Sequence, residues 1–352
     1  MVKKTEGQLR FSREVLLKFT EGLLAECGVP KSDGKRIADC ILDSDLRGVQ
    51  SHGIMRLPAY VKLFKKTGVG GINPNPDIRV VKEAPSFAVF DGDNGLGHIV
   101  SIKAMEATIK KAEKVGFACA LANRSNHNGA EAYFTLMAAE KDMIGFIVTA
   151  GGMNLIAPTG GLTPSLGNNP FSYAIPSHEE PPLVLDMSCS VVARGWIVLA
   201  AKNGWSIPEG WAVDKNGNPT TDAQEALNGF VLPFGGYKGY GIAMINAALG
   251  GILAGATIDD KGTDIYKDAG REQNIGHFMW VLNIGMFMEV MDFKKKTDEL
   301  IRRIRGSRLA PNVERIFVPG EKEAETKKRN LQEGIPVSVE VYNEIRQLGF
   351  SH

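Results

Sequence analysis

Residues 69–77, VGGINPNPD, divide the chain into two kinds of text, and no single element of secondary structure runs across them. Alternating prolines remove backbone donors and paired glycines lose more freedom on ordering than other residues, so helix and strand both stop there. Before the break, apolar residues recur at three- and four-residue steps, as in Val15, Leu16, Phe19 and Leu23, the pattern of an amphipathic helix. Helices are expected near Ser12 to Cys27, Lys31 to Leu46, and from His52 toward Lys66. After the break, β-branched and aromatic runs such as IRVV and FAVFDG read as strands, which puts a domain boundary near residue 75.

Beyond it, helices near His98 to Val115 and Gly129 to Lys141 interleave with the strands FACALAN, IGFIVTA, FSYAIP and PLVLDM, predicting a mixed α/β core. Helical patterning over Val191 to Lys202 and a Gly/Ala-rich helix over 241–256 predict an inserted helical portion. MWVLNIGMF and ERIFVPG read as further strands, and charged helices near Glu321 to Glu333 and Val339 to Leu348 follow. A length of 352 residues calls for more than one core. Lys and Arg total 41 against 40 Asp and Glu, so no global field attracts a polyanion, and nucleic acid is not an expected partner. GIAMINAALGGILAGA, at 16 residues, is short for a bilayer span and is read as buried, while the polar N-terminus has no apolar signal core. Cys27, Cys40, Cys119 and Cys189 stand far apart without metal-type spacing, which fits free thiols in a reducing cytoplasm.

Three polar stretches carry candidate chemistry. SHGIMR, residues 51–56, places His52 and Arg56 four apart, on one face if the segment is helical. Histidine exchanges protons near neutrality and arginine grips a carboxylate through two parallel hydrogen bonds, a pair suited to a 2-hydroxy or 2-oxo acid. The plainer alternative makes Ser51 a helix cap, His52 the donor to a neighbouring carbonyl and Arg56 a surface ion pair. NRSNHNGAEAY, residues 123–133, sets His127 in a strand-to-helix loop, where active-site groups gather or where Asn126 or Asn128 simply caps the helix. PFGGYKGYG, residues 233–241, crowds glycines around Tyr237 and Lys238 before a helix, either a phosphate cradle or a tight turn with a solvated lysine. GxGxxG, the P-loop, HExxH and GxSxG are all missing, which counts against a Rossmann dinucleotide site, an NTPase, a metallohydrolase and a serine hydrolase. A metal site built on His52, His127, Asp91 and Asp93, and a nucleotide-binding protein without turnover, stay open as rivals.

These stretches, with APTGG, LGNNPFSYAIP, LDMSCSVVARG, WAVDKNGNPTTD and VPGE in order between and after them, resemble the malate/L-lactate dehydrogenase family over nearly the whole chain. The resemblance implies an α/β fold with a non-Rossmann NAD(P)-binding sheet, mixed and largely antiparallel, flanked by helical domains, in a homodimer. It implies an N-terminal helical domain over 1–75 joined by C-terminal helices in 322–352, an NAD(P)-binding domain over 76–190 and 270–321, and a helical insertion over 191–269. It implies interconversion of a small 2-hydroxy acid and its 2-oxo acid, of malate, lactate or ureidoglycolate type, with a sugar-derived diketo acid as the alternative substrate. His52, with Ser51 beside it, takes the acid/base role, His127 is the rival base, and Arg56 holds the carboxylate. Gly151, Leu185, Asp186, Met187, Ser188, Tyr237, Lys238, Gly320 and Glu321 are implied to hold the cofactor, NAD or NADP with NAD favoured, and no metal is implied. Trp196 follows ARG where an imine-reducing branch carries an acidic residue, and Asn128 follows the loop histidine where relatives carry an aromatic or small one, so the substrate differs in shape.

Overall fold

The computed structural model describes residues 8–66, 70–202, 204–258 and 271–351. The boundary expected between 269 and 270 lies outside the described residues. The chain opens with β1 (Gln8–Phe11), α1 (Arg13–Glu26) and α2 (Lys31–Leu46). Ser12 caps α1, its hydroxyl accepting from the Val15 amide at 3.3 Å, and the three- and four-residue apolar steps bury Leu16, Leu23 and Leu24.

The third helix is shorter than its pattern predicts. Two separate 3₁₀ turns, Gln50–His52 and Ile54–Arg56, come first, and α3 covers only Leu57–Phe64. His52 and Arg56 therefore do not share the face of one α-helix. Gly53 explains the break, because a Cβ there would lie 2.0 Å from Oδ1 of Asp45, and Oδ2 of the same carboxyl accepts the Ile54 amide at 2.7 Å.

A seven-stranded sheet forms the centre, in the order β2 (Arg79–Ala84), β3 (Phe87–Gly95), β4 (Phe117–Ser125), β10 (Ile275–Asn283), β5 (Met143–Ala150), β6 (Phe171–Ile175) and β7 (Leu183–Met187). Only the β3–β4 pair is parallel, joined by the crossover helix α4 (Gly97–Val115), so the sheet is mixed and largely antiparallel as expected. Alternation on β4 sends Ala118, Ala120 and Ala122 inward with no exposed surface, and Met279 and Val281 of β10 join them in one core with Ile102, Met105 and Ile109 of α4. Helix α5 (Ala132–Ala139) packs on β5 and β6.

The remaining elements are α6 (Arg194–Lys202), the short pair β8 (Ala212–Val213) and β9 (Phe230–Val231) around α7 (Ala223–Asn228), and α8 (Tyr237–Asn246). Helix α8 runs into a π-helical turn, Ala247–Leu253. The expectation that this Gly/Ala stretch is buried fails on one face: Gly250 and Gly251 press toward Ala150 of β5, while Met244, Ile245, Ile252 and Leu253 on the other side are 56–72% exposed. Among the described residues no helix is long and apolar enough to cross a membrane.

Helices α9 (Val290–Arg305), α10 (Glu321–Glu333) and α11 (Val339–Gln347) follow β10, with β11 (Ile335–Ser338) between the last two. Strand β11 pairs antiparallel with β1, and Ile335, Val337, Ile345 and Phe350 complete the core of α1, α2 and α3. ERIFVPG forms no strand: residues 314–318 have no regular secondary structure or ladder partner, and a turn at Pro319 and Gly320 delivers the chain to α10.

Candidate active site

A cavity of about 690 Å³ opens between the turns before α3, the loop after β4 and the end of β7. Its size and mixed walls are those of a small-molecule site. Ser51, His52, Arg56 and His127 all reach it, although they arise from different elements.

The SHG turn is pinned from below by Asp45, which is 3% exposed and whose carboxyl burial pushes up to about 7. Above it, Nε of Arg56 donates to the Ser51 carbonyl at 2.6 Å, curling the guanidinium back over the turn. Ser51 caps no helix; its hydroxyl lies 2.9 Å from Nδ1 of His52. The His52 ring stacks on that of His127, centroids 5.5 Å apart at 17°. Tyr60, fully buried in α3, brings its hydroxyl to 2.8 Å from Nδ1 of His127. Gly129, with φ +84°, turns the loop so that its amide donates to that same nitrogen at 3.3 Å, and a Cβ there would strike Nε2 of His98 at 2.7 Å.

Burial, helped by the Arg56 charge, pushes His52 down to about 3 and holds His127 well below the usual imidazole range. Both rings are therefore neutral at neutral pH. Asn128 is 2% exposed, and its amide donates to Oε2 of Glu131 and to Thr149, each at 3.1 Å, so it supports the wall. Burial raises Glu131 to about 8, making it a neutral acid in that wall.

Of the residues expected to hold a cofactor, Gly151, Leu185, Asp186, Met187, Ser188 and Gly320 line the cavity. Asp186 accepts the Ala132 amide at 2.7 Å and is pushed up to about 6 by burial, against the pull of Arg47. Three expected residues are placed elsewhere. Tyr237 and Lys238 begin α8 outside the cavity, Tyr237 being 68% exposed, and Glu321 is buried in ion pairs with Arg305 and Arg315 while accepting the Val318 amide at 3.0 Å. Asp91 and Asp93 bind Arg124 and do not reach the cavity, so they cannot join His52 and His127 around a metal.

Residues that the sequence alone left out are Tyr60, whose only signal is an apolar helical position, and Arg47, one turn before SHG. Arg47 lines the cavity at 8% exposure, and its side chain makes no hydrogen bond or ion pair among the described residues.

The profile of the malate/L-lactate dehydrogenase family matches residues 11–346. The malate dehydrogenase of Pyrococcus horikoshii is 39% identical over 351 residues, 97% of this chain and 95% of that one. The L-sulfolactate dehydrogenase of Methanocaldococcus jannaschii is 40% identical over 350 residues, 99% of this chain and 96% of its own. The crystal structure of malate dehydrogenase from Entamoeba histolytica superposes with a TM-score of 0.92 at 28% identity, covering 97% of each chain. With the matched profile spanning the sheet, the SHG turn and the loop of His127 alike, this chain belongs to the malate/L-lactate dehydrogenase family.

Proposed function

We propose that the chain interconverts a small 2-hydroxy acid and its 2-oxo acid, malate or sulfolactate being the nearest substrates by the names of its relatives. The observation that carries the reading is the convergence of Arg56, His52 and His127 on one cavity whose other walls come from the LDMS and VPG segments. Arg56 holds the substrate carboxylate through charge-assisted hydrogen bonds. His52 takes the hydroxyl proton during oxidation and returns it during reduction, help worth about 10²- to 10⁴-fold in rate. Ser51, at 2.9 Å, orients the His52 ring.

A nicotinamide dinucleotide fits the rest of the cavity. Arg47 lines the same cavity, its charge paired at longer range with Asp186 and its guanidinium without a hydrogen bond among the described residues. A cofactor phosphate beside it gains charge-assisted hydrogen bonds. Gly151, Leu185 to Ser188 and Gly320 hold the cofactor, within a binding region formed by 76–190 and 270–321, between a helical region of 1–75 with 322–352 and a helical insertion of 191–269. When bound, the nicotinamide supplies a two-electron hydride acceptor or donor. NAD is favoured over NADP.

The reading includes a homodimer. Met244, Ile245, Ile252 and Leu253 form an exposed apolar face on the same helical run that starts with Tyr237 and Lys238, and a second copy of this chain is its occupant. Four unpaired thiols support a cytoplasmic setting.

The test is a panel of 2-oxo acids, including oxaloacetate, pyruvate, sulfopyruvate and a sugar-derived diketo acid, mixed with NADH or NADPH while nicotinamide absorbance is followed. Turnover of at least one short oxo acid is expected, and none with either cofactor refutes the proposal.

A further inference from the structure

We infer that Gly129 and Tyr60 fix His127 as the Nε2–H tautomer, so that it binds the substrate oxygen as a hydrogen-bond donor and leaves proton exchange to His52. The inference rests on the reaction proposed above but begins from a hydrogen bond that does not depend on it. A backbone amide can only donate, and the Gly129 N–H points at Nδ1 of His127 at 3.3 Å. That nitrogen is therefore the acceptor, and the neutral ring carries its hydrogen on Nε2. The Tyr60 hydroxyl, 2.8 Å from the same nitrogen, must then donate as well, and its complete burial holds the ring plane.

His52 is held differently. Its Nδ1 meets a serine hydroxyl, which rotates to donate or accept, so the ring passes between tautomers and between charge states without losing its partner. Protonating His127 sets two hydrogens against each other at Nδ1, and protonating His52 does not. Burial first, and then the Arg56 charge, oppose a positive charge on His127, and the neutral rings of His52, His98 and His277 face it from three further elements. The two stacked rings thus take separate roles. His127 polarises the carbonyl during reduction and steadies the oxyanion character during oxidation, while the proton moves through His52. Tyr60 is a positioning residue.

Nitrogen-15 NMR of histidine-labelled, ligand-free protein, with His127 assigned by loss of its signals in His127→Gln, tests the tautomer without any turnover. A pyrrole-like Nε2 and a pyridine-like Nδ1 at neutral pH are expected; an Nδ1–H or doubly protonated ring overturns the inference. Kinetics test the division of roles. His127→Ala should lower kcat by about 10²- to 10³-fold, as loss of an oxyanion donor does, while the pH dependence of reduction persists. His52→Gln should abolish that dependence. Exchange of these two behaviours overturns the assignment. Tyr60→Phe should lower kcat by about five- to tenfold, the worth of one neutral hydrogen bond, with cofactor KM and the far-ultraviolet spectrum unchanged. Parental kcat with lowered thermal stability makes Tyr60 a core residue only and removes it from the proposal. A panel without turnover sinks the function proposed above and leaves the tautomer result standing.

Discussion

Replacing Arg56 by lysine preserves the charge and removes the geometry, which separates the two things this residue does. In the structure Nε donates to the Ser51 carbonyl at 2.6 Å, which fixes the planar guanidinium fork at the cavity it lines. Lysine has one nitrogen for both the carbonyl and the substrate. Either it stays on Ser51 and meets the carboxylate weakly, or it turns to the substrate and leaves a carbonyl of the SHG turn unsatisfied. A hydrogen bond to a charged group contributes about 1.5–3 kcal/mol, so kcat/KM for the oxo acid should fall by roughly 10- to 150-fold. Most of the loss should appear in KM, because ground state and transition state both carry the carboxylate. The assay is initial-rate kinetics at saturating reduced cofactor, with cofactor affinity measured separately by nicotinamide fluorescence, which should not change. Equal losses in cofactor and oxo-acid affinity would show that Arg56 supports the cavity as a whole, and an unchanged KM would show that it does not touch the carboxylate; either result refutes the role given to it.

His52 is neutral in the ligand-free protein, burial having pushed it down to about 3, so oxidation finds its base ready throughout the neutral range and reduction must draw on a minor protonated form. The kcat/KM of reduction should fall about tenfold per pH unit as pH rises between roughly 5 and 9, with that of oxidation nearly flat, and parallel profiles in the two directions would contradict the role of His52. Asp45 titrates at about 7 in the folded chain against about 4 unfolded, so its contribution to stability is full below the lower value and is lost as pH rises through the higher. At about 1.4 kcal/mol per unit this is on the order of 4 kcal/mol, and Asp45→Asn should flatten the decline in Tm between roughly pH 4 and 7; an unaltered slope assigns the decline to other groups. Ile245→Glu, at a position 61% exposed, should halve the mass seen by light scattering without changing circular dichroism, and a parent that already runs as a single chain disposes of the dimer.

The sequence makes the sheet legible because burial on it is simple. Ala118, Ala120 and Ala122 alternate with polar or half-buried neighbours, and a period of two has no other reading once Gly116 has ended α4. The pairing of β1 with β11 is not legible, since two four-residue strands from opposite ends of the chain carry too little pattern to announce each other. The failure at SHG is more instructive. Periodicity proposes one helix through His52 and Arg56, whereas a carboxylate from α2 occupies the space a side chain at position 53 needs and captures the Ile54 amide, so a tertiary contact overrides local preference. The right residues still meet, because the constraint that matters is arrival at one cavity and not membership of one helix.

Residue types reveal which chemistry a site holds; they do not reveal how two like groups share it. His52 and His127 are both sequence-visible as histidines at polar junctions, and nothing in their neighbours ranks them. What separates them is the partner at Nδ1, a rotatable hydroxyl for one and a fixed amide for the other, and the second partner exists only because Gly129 takes a positive φ and α3 carries Tyr60 across 67 residues of chain. An amide from the main chain imposes a direction on a hydrogen bond that no side-chain hydroxyl does. The division of labour between the two rings is thus written in backbone geometry, and a substitution that leaves both histidines in place while turning that amide away should blur the division without touching either ring.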